Sequence, residues 1–580
     1  MSFHARDVSL QELWGRSENR YEVPRYQREY SWTKEEVESL WNDLNSEEDF
    51  FLGSVVMKEA GSTRNRIEII DGQQRLITIT ILYAAIRDVT ARIGDQASAA
   101  RIHSNRIFEA DDFGVGGQYI LNPAPSLRDF FRRSIQQYPS PDFSRPSTKE
   151  EKRVKSNYDF FVKQINSRVA MVESQETKTE LLYSLMNKIK SMKIIWITVT
   201  DEYDAYRIFE TVNARGKDLS VADLLKNMIF KEIDVEDSGR DPAKEKWDDI
   251  KENLIPTSFD MAKFVRYHWI SSRQKGVTMG KLYRSVKENT SSRAWAELLN
   301  QLRSDSKLLR ELFTGDIPNP NNRPSISEIN KSLISISEMG YSQCFILLLS
   351  LFRNRDRLSI SWDELNKLTA RLENFNFVYH KVCKLPANRV EKFYSDVAVN
   401  IHSIEISEDS EARLRGNLNS IYLKFNDERP NKDTFTKSFI ENIKYVNSTA
   451  GKRLIRYILK SIDEYNHPRQ QSEMTVNESI SIEHVLPQNP VNWGLEEEDV
   501  KQYVNLIGNL TLVGQPFNSE AQNFSLERKI GIFRESSVIS TRELMAKIEN
   551  DLSMIWNEDS IYERTRRIAE IAYDEVWNLS

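Results

Sequence analysis

An acidic residue beside a histidine, followed by two amides at a distance, is a set of groups able to hydrolyse a phosphodiester. Glu483 and His484 stand in SIEHVLPQNP (481–490), and Asn509 and Asn518 in NLIGNLTLVGQPFN (505–518). The reaction needs a base to activate water, a cation to neutralise charge on the scissile phosphate, and a group that keeps the base in the right tautomer. His484 is the base that these residues offer. Glu483 and Asn518 are hard oxygen donors suited to Mg²⁺ or a similar divalent ion, and Asn509 fixes either the imidazole or its loop. A lone histidine of this kind would more often be a satisfied strand-end residue among turn-forming asparagines. The full combination favours a site.

A second concentration of polar groups lies near the front, in VPRYQREYSW (23–32) and in IEIIDGQQRLITITILYAAI (67–86). Asp71, Gly72, Gln73, Gln74 and Arg75 fall where a strand ends and a helix begins. Unpaired backbone N–H groups and the helix dipole there favour a phosphate, and Gly72 permits close backbone approach. Asp71 holds a cation or orients an arginine; alternatively it caps the helix and pairs with Arg75. Phe209 to Leu219 end another helix in a basic, glycine-containing loop, where Asn213 and Lys217 could reach the same phosphates or form only a C-cap and linker. No GxxxxGK[ST] occurs and no kinase or Rossmann glycine pattern, so a nucleotide would be held by another device. Tyr26, Tyr30 and Trp32 could stack on a flipped base, although core positions suit them better.

The elements that must carry these residues are legible in outline. Thr33 and Glu36 form a capping box ahead of a helix with Val37, Leu40, Trp41 and Leu44 on one face, and Trp32 could staple onto Val37. Strands are predicted at 51–57, 66–70 and 193–200, with a helix from about 73 to 93, another over 202–212, and one capped by Ser220. Residues 236–420 carry mainly helical periodicity. Near the end, strands at 479–486 and 509–513 precede a helix over 526–533. The expected domains are 1–235, 236–420 and 421–580.

The chain has 580 residues, 39% of them hydrophobic and 29% charged, which suits a folded protein of several units. Two cysteines, Cys344 and Cys383, exclude a zinc ribbon and fit a reducing cytoplasm. No signal peptide is visible, and the longest apolar run, FILLLSLF (345–352), is too short to span a membrane. Net charge is −6, so contact with nucleic acid needs local basic patches. Arg128/Arg132/Arg133, Lys452/Arg453/Arg456/Lys460 and Arg564/Arg566/Arg567 are the candidates, each equally readable as a solvated face.

Glu483 to Gln488, with Asn509 and Asn518, resembles the His-Me finger (HNH) endonuclease motif over about 50 residues. Gly508 to Leu512, Asn523, Phe524 and Lys529 resemble the nuclease half of GmrSD-type restriction enzymes, with Lys529 a phosphate contact. Tyr26 to Trp32, Asp71 to Arg75 and Asn213 to Ser220 resemble the GmrS half, a module shared with the phosphorothioate-sensing SspE nucleases. The resemblance implies a mostly helical α+β protein: a front domain similar to ParB and sulfiredoxin, a helical middle, and a C-terminal ββα-metal nuclease. It further implies a nucleotide site at Asp71, Gly72, Gln73, Gln74 and Arg75, extended by Asn213 and Lys217, without choosing among GTP, UTP, CTP and ATP. The function expected is an NTP-regulated, modification-dependent DNA endonuclease of phage defence, cytoplasmic, with modified phage DNA as partner and a homo-oligomer compatible with the sequence. Competing readings are an NTP-gated nuclease of unmodified nucleic acid, a catalytically silent DNA-binding regulator, and a nucleotide-metabolising enzyme.

Overall fold

Apolar residues run almost unbroken along Lys193–Val199, and the strand they form sits inside a six-stranded sheet, buried through Ile194, Trp196, Ile197 and Val199. In a computed structural model the strands of the first 244 residues are β1 (Phe3–Ser9), β2 (Arg20–Glu22), β3 (Phe51–Glu59), β4 (Arg66–Asp71), β5 (Phe108–Ala110), β6 (Gly117–Tyr119), β7 (Leu121–Asn122) and β8 (Lys193–Val199). The structure describes residues 3–14, 19–46, 50–59, 66–110, 116–139, 141–143, 145–199, 221–233, 241–468, 480–514, 524–550 and 555–579. The main sheet runs in the order β1-β8-β3-β4-β2-β7, and β5 and β6 form a separate ribbon. Pairing is antiparallel for β1 with β8 and β3 with β4, and parallel for β8 with β3, β4 with β2 and β2 with β7.

One sheet face and the Gln73–Arg92 helix form the core of this unit. That helix is buried nearly all round, and Leu76, Ile79, Ile81, Leu82, Tyr83 and Ile86 are all fully buried. A helix with so little exposed face is central. The Lys34–Ser46 helix and the Lys149–Val169 helix, each with one apolar stripe, pack outside it through Val37, Leu40, Trp41, Phe161 and Ile165. Val56, Ile70, Ile197 and Val199 form a smaller cluster of their own, as period-two alternation dictates for residues one position out of phase with Val55, Ile69 and Trp196. Half of the expected capping box is present: Glu36 Oε2 accepts from the Thr33 amide at 2.7 Å and from the Thr33 hydroxyl at 2.6 Å.

Residues 1–244 and 245–580 are the two compact units of the chain. In the second, helices dominate from Met261–Ile270 to Thr449–Asn466. The Cys344–Asn354 helix, which carries FILLLSLF, is almost wholly buried. His268, Asp305 and Arg353 cross-brace neighbouring helices there: Asp305 accepts from His268 Nδ1 at 2.6 Å and from Arg353 Nε at 2.9 Å. Near the end of the chain, β9 (Ile480–His484) and β10 (Leu510–Gly514) pair antiparallel, and the Leu526–Phe533 helix follows. The overall class is α+β and mostly helical. Among the described residues no helix is long and apolar enough to cross a membrane.

Candidate active site

His484 is the last residue of β9, opposite Leu510 of β10. Its half-buried ring donates from Nε2 to Asn505 Oδ1 at 3.1 Å, and the same oxygen accepts from Gln488 Nε2 at 2.9 Å. An amide oxygen only accepts, so this network assigns the imidazole proton to Nε2 and leaves the lone pair on Nδ1. Tyr445 meets the ring edge-on, with centroids 4.8 Å apart, and its backbone amide donates to the Asn505 carbonyl at 2.8 Å. Burial pushes the imidazole down to about 4, a shift that the Lys529 ammonium reinforces and the Asn505 hydrogen bond opposes. His484 is therefore neutral at physiological pH, the state a base requires.

Asn505, which the motif alone does not single out, is thus the residue that orients His484. Asn509 has the other of its two expected roles and holds the loop. It is fully buried, donates from Nδ2 to the carbonyls of Leu486 and Val504, and accepts at Oδ1 from the Leu486 amide, all at 2.8 Å, and from Trp556 Nε1 at 3.0 Å. The Glu558–Ile571 helix closes against this turn. Gly508 donates to Thr565 Oγ1 at 3.1 Å, a Cβ on Gly508 would overlap the Ile561 carbonyl, and Arg564 donates to the carbonyls of Gly508 and Leu510. Close backbone approach is the reason for glycine at 508.

Lys529 corrects its reading as a phosphate contact. Its side chain is fully buried, donating to Glu483 Oε1 at 3.0 Å and to the His484 carbonyl at 2.6 Å. Burial raises the Glu483 carboxyl, and the Lys529 charge acts against that shift. The ion pair engages one carboxylate oxygen. Asn518, the other expected ligand, lies outside the described residues, as does Asn523. Among the described residues no group of three or more His, Cys, Asp or Glu converges as a metal cage. One half-buried carboxylate nonetheless suits an ion of the Mg²⁺ type, which keeps several waters and takes substrate phosphate oxygens as ligands.

In the first unit, Asp71 ends β4 and Gly72 adopts φ 89° before the Gln73–Arg92 helix. Arg75 reaches back to donate to the Ser54 carbonyl at 2.9 Å and lies 3.8 Å from Asp71. Burial raises the Asp71 carboxyl, while Arg75, the Gly72 amide and Arg28 act to lower it. Gln73 and Gln74 brace the 24–32 segment, donating to the carbonyls of Arg28 at 3.0 Å and Glu29 at 3.2 Å, and Gln74 accepts from the Ser31 amide at 2.7 Å. Gln73 Oε1 is buried without a hydrogen-bond partner. An acceptor in that position, beside the first turn of a helix, can receive an N–H or O–H from a nucleotide whose phosphates lie on the helix N-terminus. Asn213 and Lys217 lie outside the described residues. Tyr30 is core: it is 1% exposed and its hydroxyl is bonded to Thr78 at 2.7 Å and Asn157 at 2.9 Å.

Both parts of the chain match models of enzymes that cut DNA. Residues 429–571 match the family described as GmrSD restriction endonucleases, C-terminal domain, and residues 10–230 match GmrSD restriction endonuclease, N-terminal domain. The protein is a restriction endonuclease, with DNA as its partner. It belongs to the GmrSD family. None of the curated proteins compared matches the chain.

Proposed function

We propose that the second unit cleaves DNA by metal-assisted hydrolysis of the HNH type, with His484 as general base, and that a nucleotide held at Asp71 to Arg75 gates it. The observation that carries this reading is the neutral imidazole beside Glu483, protonated on Nε2 against Asn505, with its Nδ1 lone pair left to take a proton. Water loses a proton to Nδ1 as its oxygen attacks phosphorus. The bond from phosphorus to the leaving sugar oxygen breaks, and that oxygen gains a proton from solvent. Glu483 and Asn518 would hold a Mg²⁺-type ion, which would supply charge neutralisation at the scissile phosphate. Lys529 keeps the Glu483 carboxylate ionised and fixed in place, Asn505 sets the tautomer, and Asn509 holds the turn.

For the front unit, the support is the strand-to-helix turn at Gly72 with its unpaired N–H groups and the orphaned Gln73 Oε1. The nucleotide is a nucleoside triphosphate, GTP, UTP, CTP or ATP, and the DNA is modified phage DNA. Differential affinity of the nucleotide for two states of the protein is what would restrain a nuclease from host DNA.

The test is cleavage of modified and unmodified DNA with Mg²⁺ and each NTP present or absent, comparing the parent with His484→Ala and Asp71→Ala. His484→Ala is expected to abolish cutting, and Asp71→Ala to remove the NTP response while cutting persists. Undiminished cutting by His484→Ala would overturn the assignment of the base. Equal cutting of both DNAs would move the reading to a nuclease of unmodified DNA.

A further inference from the structure

Three basic clusters stand out in the sequence, and the structure gives members of two of them other partners. Arg132 donates to Asn122 Oδ1 at 3.3 Å and covers the Tyr119 ring, and Arg133 pairs with Asp142 at 3.5 Å. Arg564 donates to two carbonyls of the Gly508–Leu510 turn, which leaves Arg566 and Arg567 of that cluster exposed. The cluster on the Thr449–Asn466 helix keeps more of its cations out of ion pairs. Lys460 lies 3.7 Å from Glu464, but Lys452, Arg453 and Arg456 make no ion pair with any described residue.

Their spacing puts them on one face. Lys452, Arg456 and Lys460 follow each other at four-residue steps, about 6 Å of helix axis each, and Arg453 flanks that row within an arc of roughly 100°. Ile455, Ile458, Leu459 and Ile462 bury the opposite side. Two hydrogen bonds fix the helix about its axis: Tyr457 donates to Glu373 at 2.7 Å, and Asp463 accepts from the Ser540 amide at 3.1 Å. The cations are thus held toward solvent, with Arg453 and Arg456 exposed.

The same helix is joined to the site. Ser448 caps it, accepting from the Gly451 amide at 3.0 Å, and Tyr445, three residues before the cap, contacts the His484 ring. The first turn carries no acidic residue, so no carboxylate offsets the helix dipole there. Residues 437–460 contain the cations Lys437, Lys444, Lys452, Arg453, Arg456 and Lys460 against the single acid Glu441, in a chain of net charge −6. A local positive field in an acidic protein, beginning beside the histidine and aimed outward, complements a polyanion.

We propose that the Lys452/Arg453/Arg456 face grips the phosphate backbone of duplex DNA and delivers the scissile bond to His484. The position of the cut rests on the reading of His484 as base. The grip itself does not, since it is measured by binding.

The experiment uses the full chain in a His484→Ala background, so that binding is read without cutting. Fluorescence anisotropy of a labelled duplex is followed across a salt titration. Phosphate contacts contribute about 0.9 each to the slope of log affinity against log salt. Replacing Lys452, Arg453 and Arg456 together by Ala is expected to lower that slope by about 2 to 3 and to weaken binding at least about tenfold at 0.1 M salt. A triple Gln variant, which keeps polarity and part of the side-chain length, should give the same loss. Removing equal charge at Arg284, Lys307 and Lys331, all already ion-paired, should leave slope and affinity unchanged. With His484 intact, the cationic triple should cut slowly at limiting DNA and recover at low salt. Parental slope and affinity in both cationic triples, an equal loss in the control, or no duplex binding by the His484→Ala chain at any salt would overturn the proposal. Cutting that survives His484→Ala would sink the base assignment and leave this one standing.

Discussion

Asn505 and Asn509 share a chemistry and a turn but not a task. Asn505 Oδ1 receives the Nε2 proton of His484, so Asn505→Ala removes the group that fixes the tautomer and exposes no unpaired buried partner except the ring itself. Cutting is expected to slow by about 10- to 100-fold, the usual loss for a partner that orients a site ligand, with DNA affinity unchanged. Asn509→Ala instead strands the amide and carbonyl of Leu486, the carbonyl of Val504 and the indole N–H of Trp556 in a buried turn. Each unsatisfied buried group costs about 1 to 3 kcal/mol, so the second unit should lose at least about 2 kcal/mol of stability. Denaturant unfolding and single-turnover kinetics on the two variants separate these effects. Equal stability loss with equal rate loss in both would show that the turn acts as one piece and that Asn505 has no distinct role.

At the scale of elements, the strand-to-helix turn at 71–73 depends on one residue. Gly72 has φ 89°, a region where a side chain is strained, and a Cβ there would lie 2.9 Å from Val55 Cγ2. Gly72→Ala should destabilise the first unit by about 1 to 3 kcal/mol, read from its thermal or denaturant unfolding, because both strain and overlap act on a core strand. A stability change below about 0.5 kcal/mol would mean that the turn relaxes, and that the conformation is not needed. This turn was legible because a run of Ile and Val stops at Asp71-Gly72 and a helical run begins. The helix over 526–533 and the strands around 479–486 and 509–513 were legible for the same reason, a change of period at a turn residue. β1 was not. FHARDVS holds no apolar alternation, since the strand lies at the sheet edge with residues 4–7 exposed, and only its backbone register with β8 makes it a strand. The role of Asn505 was hidden for a related reason. Its position beside His484 depends on the backbone of Tyr445, a segment that no local pattern links to either residue. Lys529 read as a phosphate contact because composition cannot reveal that a Lys and a Glu will pair away from solvent.

Across the whole molecule, burial and nearby cations hold His103, His402 and His484 neutral, and this shapes the response to acid. Burial first, and then neighbouring arginines, depress His103 in the first unit and His402 in the second to about 4; Arg87 acts on His103, and Arg353, Arg357 and Arg273 on His402. An unfolded chain protonates these rings near 6.5, so between about 6.5 and 4 it binds more protons than the folded one. Each ring therefore contributes stability that is fully present above about 6.5 and is lost as pH falls toward 4. Glu373 and Glu483 act in the opposite direction. Burial raises their carboxyls, so they add stability as pH falls, and the melting curve of the parent alone does not isolate either effect. A difference does. His402→Gln and His103→Gln remove one titrating ring each and leave every other group in place. The melting temperature of each variant minus that of the parent should rise steadily from pH 7.5 to pH 5, whatever its sign at pH 7.5. A difference that stays constant over that range would mean that the folded rings titrate near their ordinary value, and that arginine and burial do not keep them neutral.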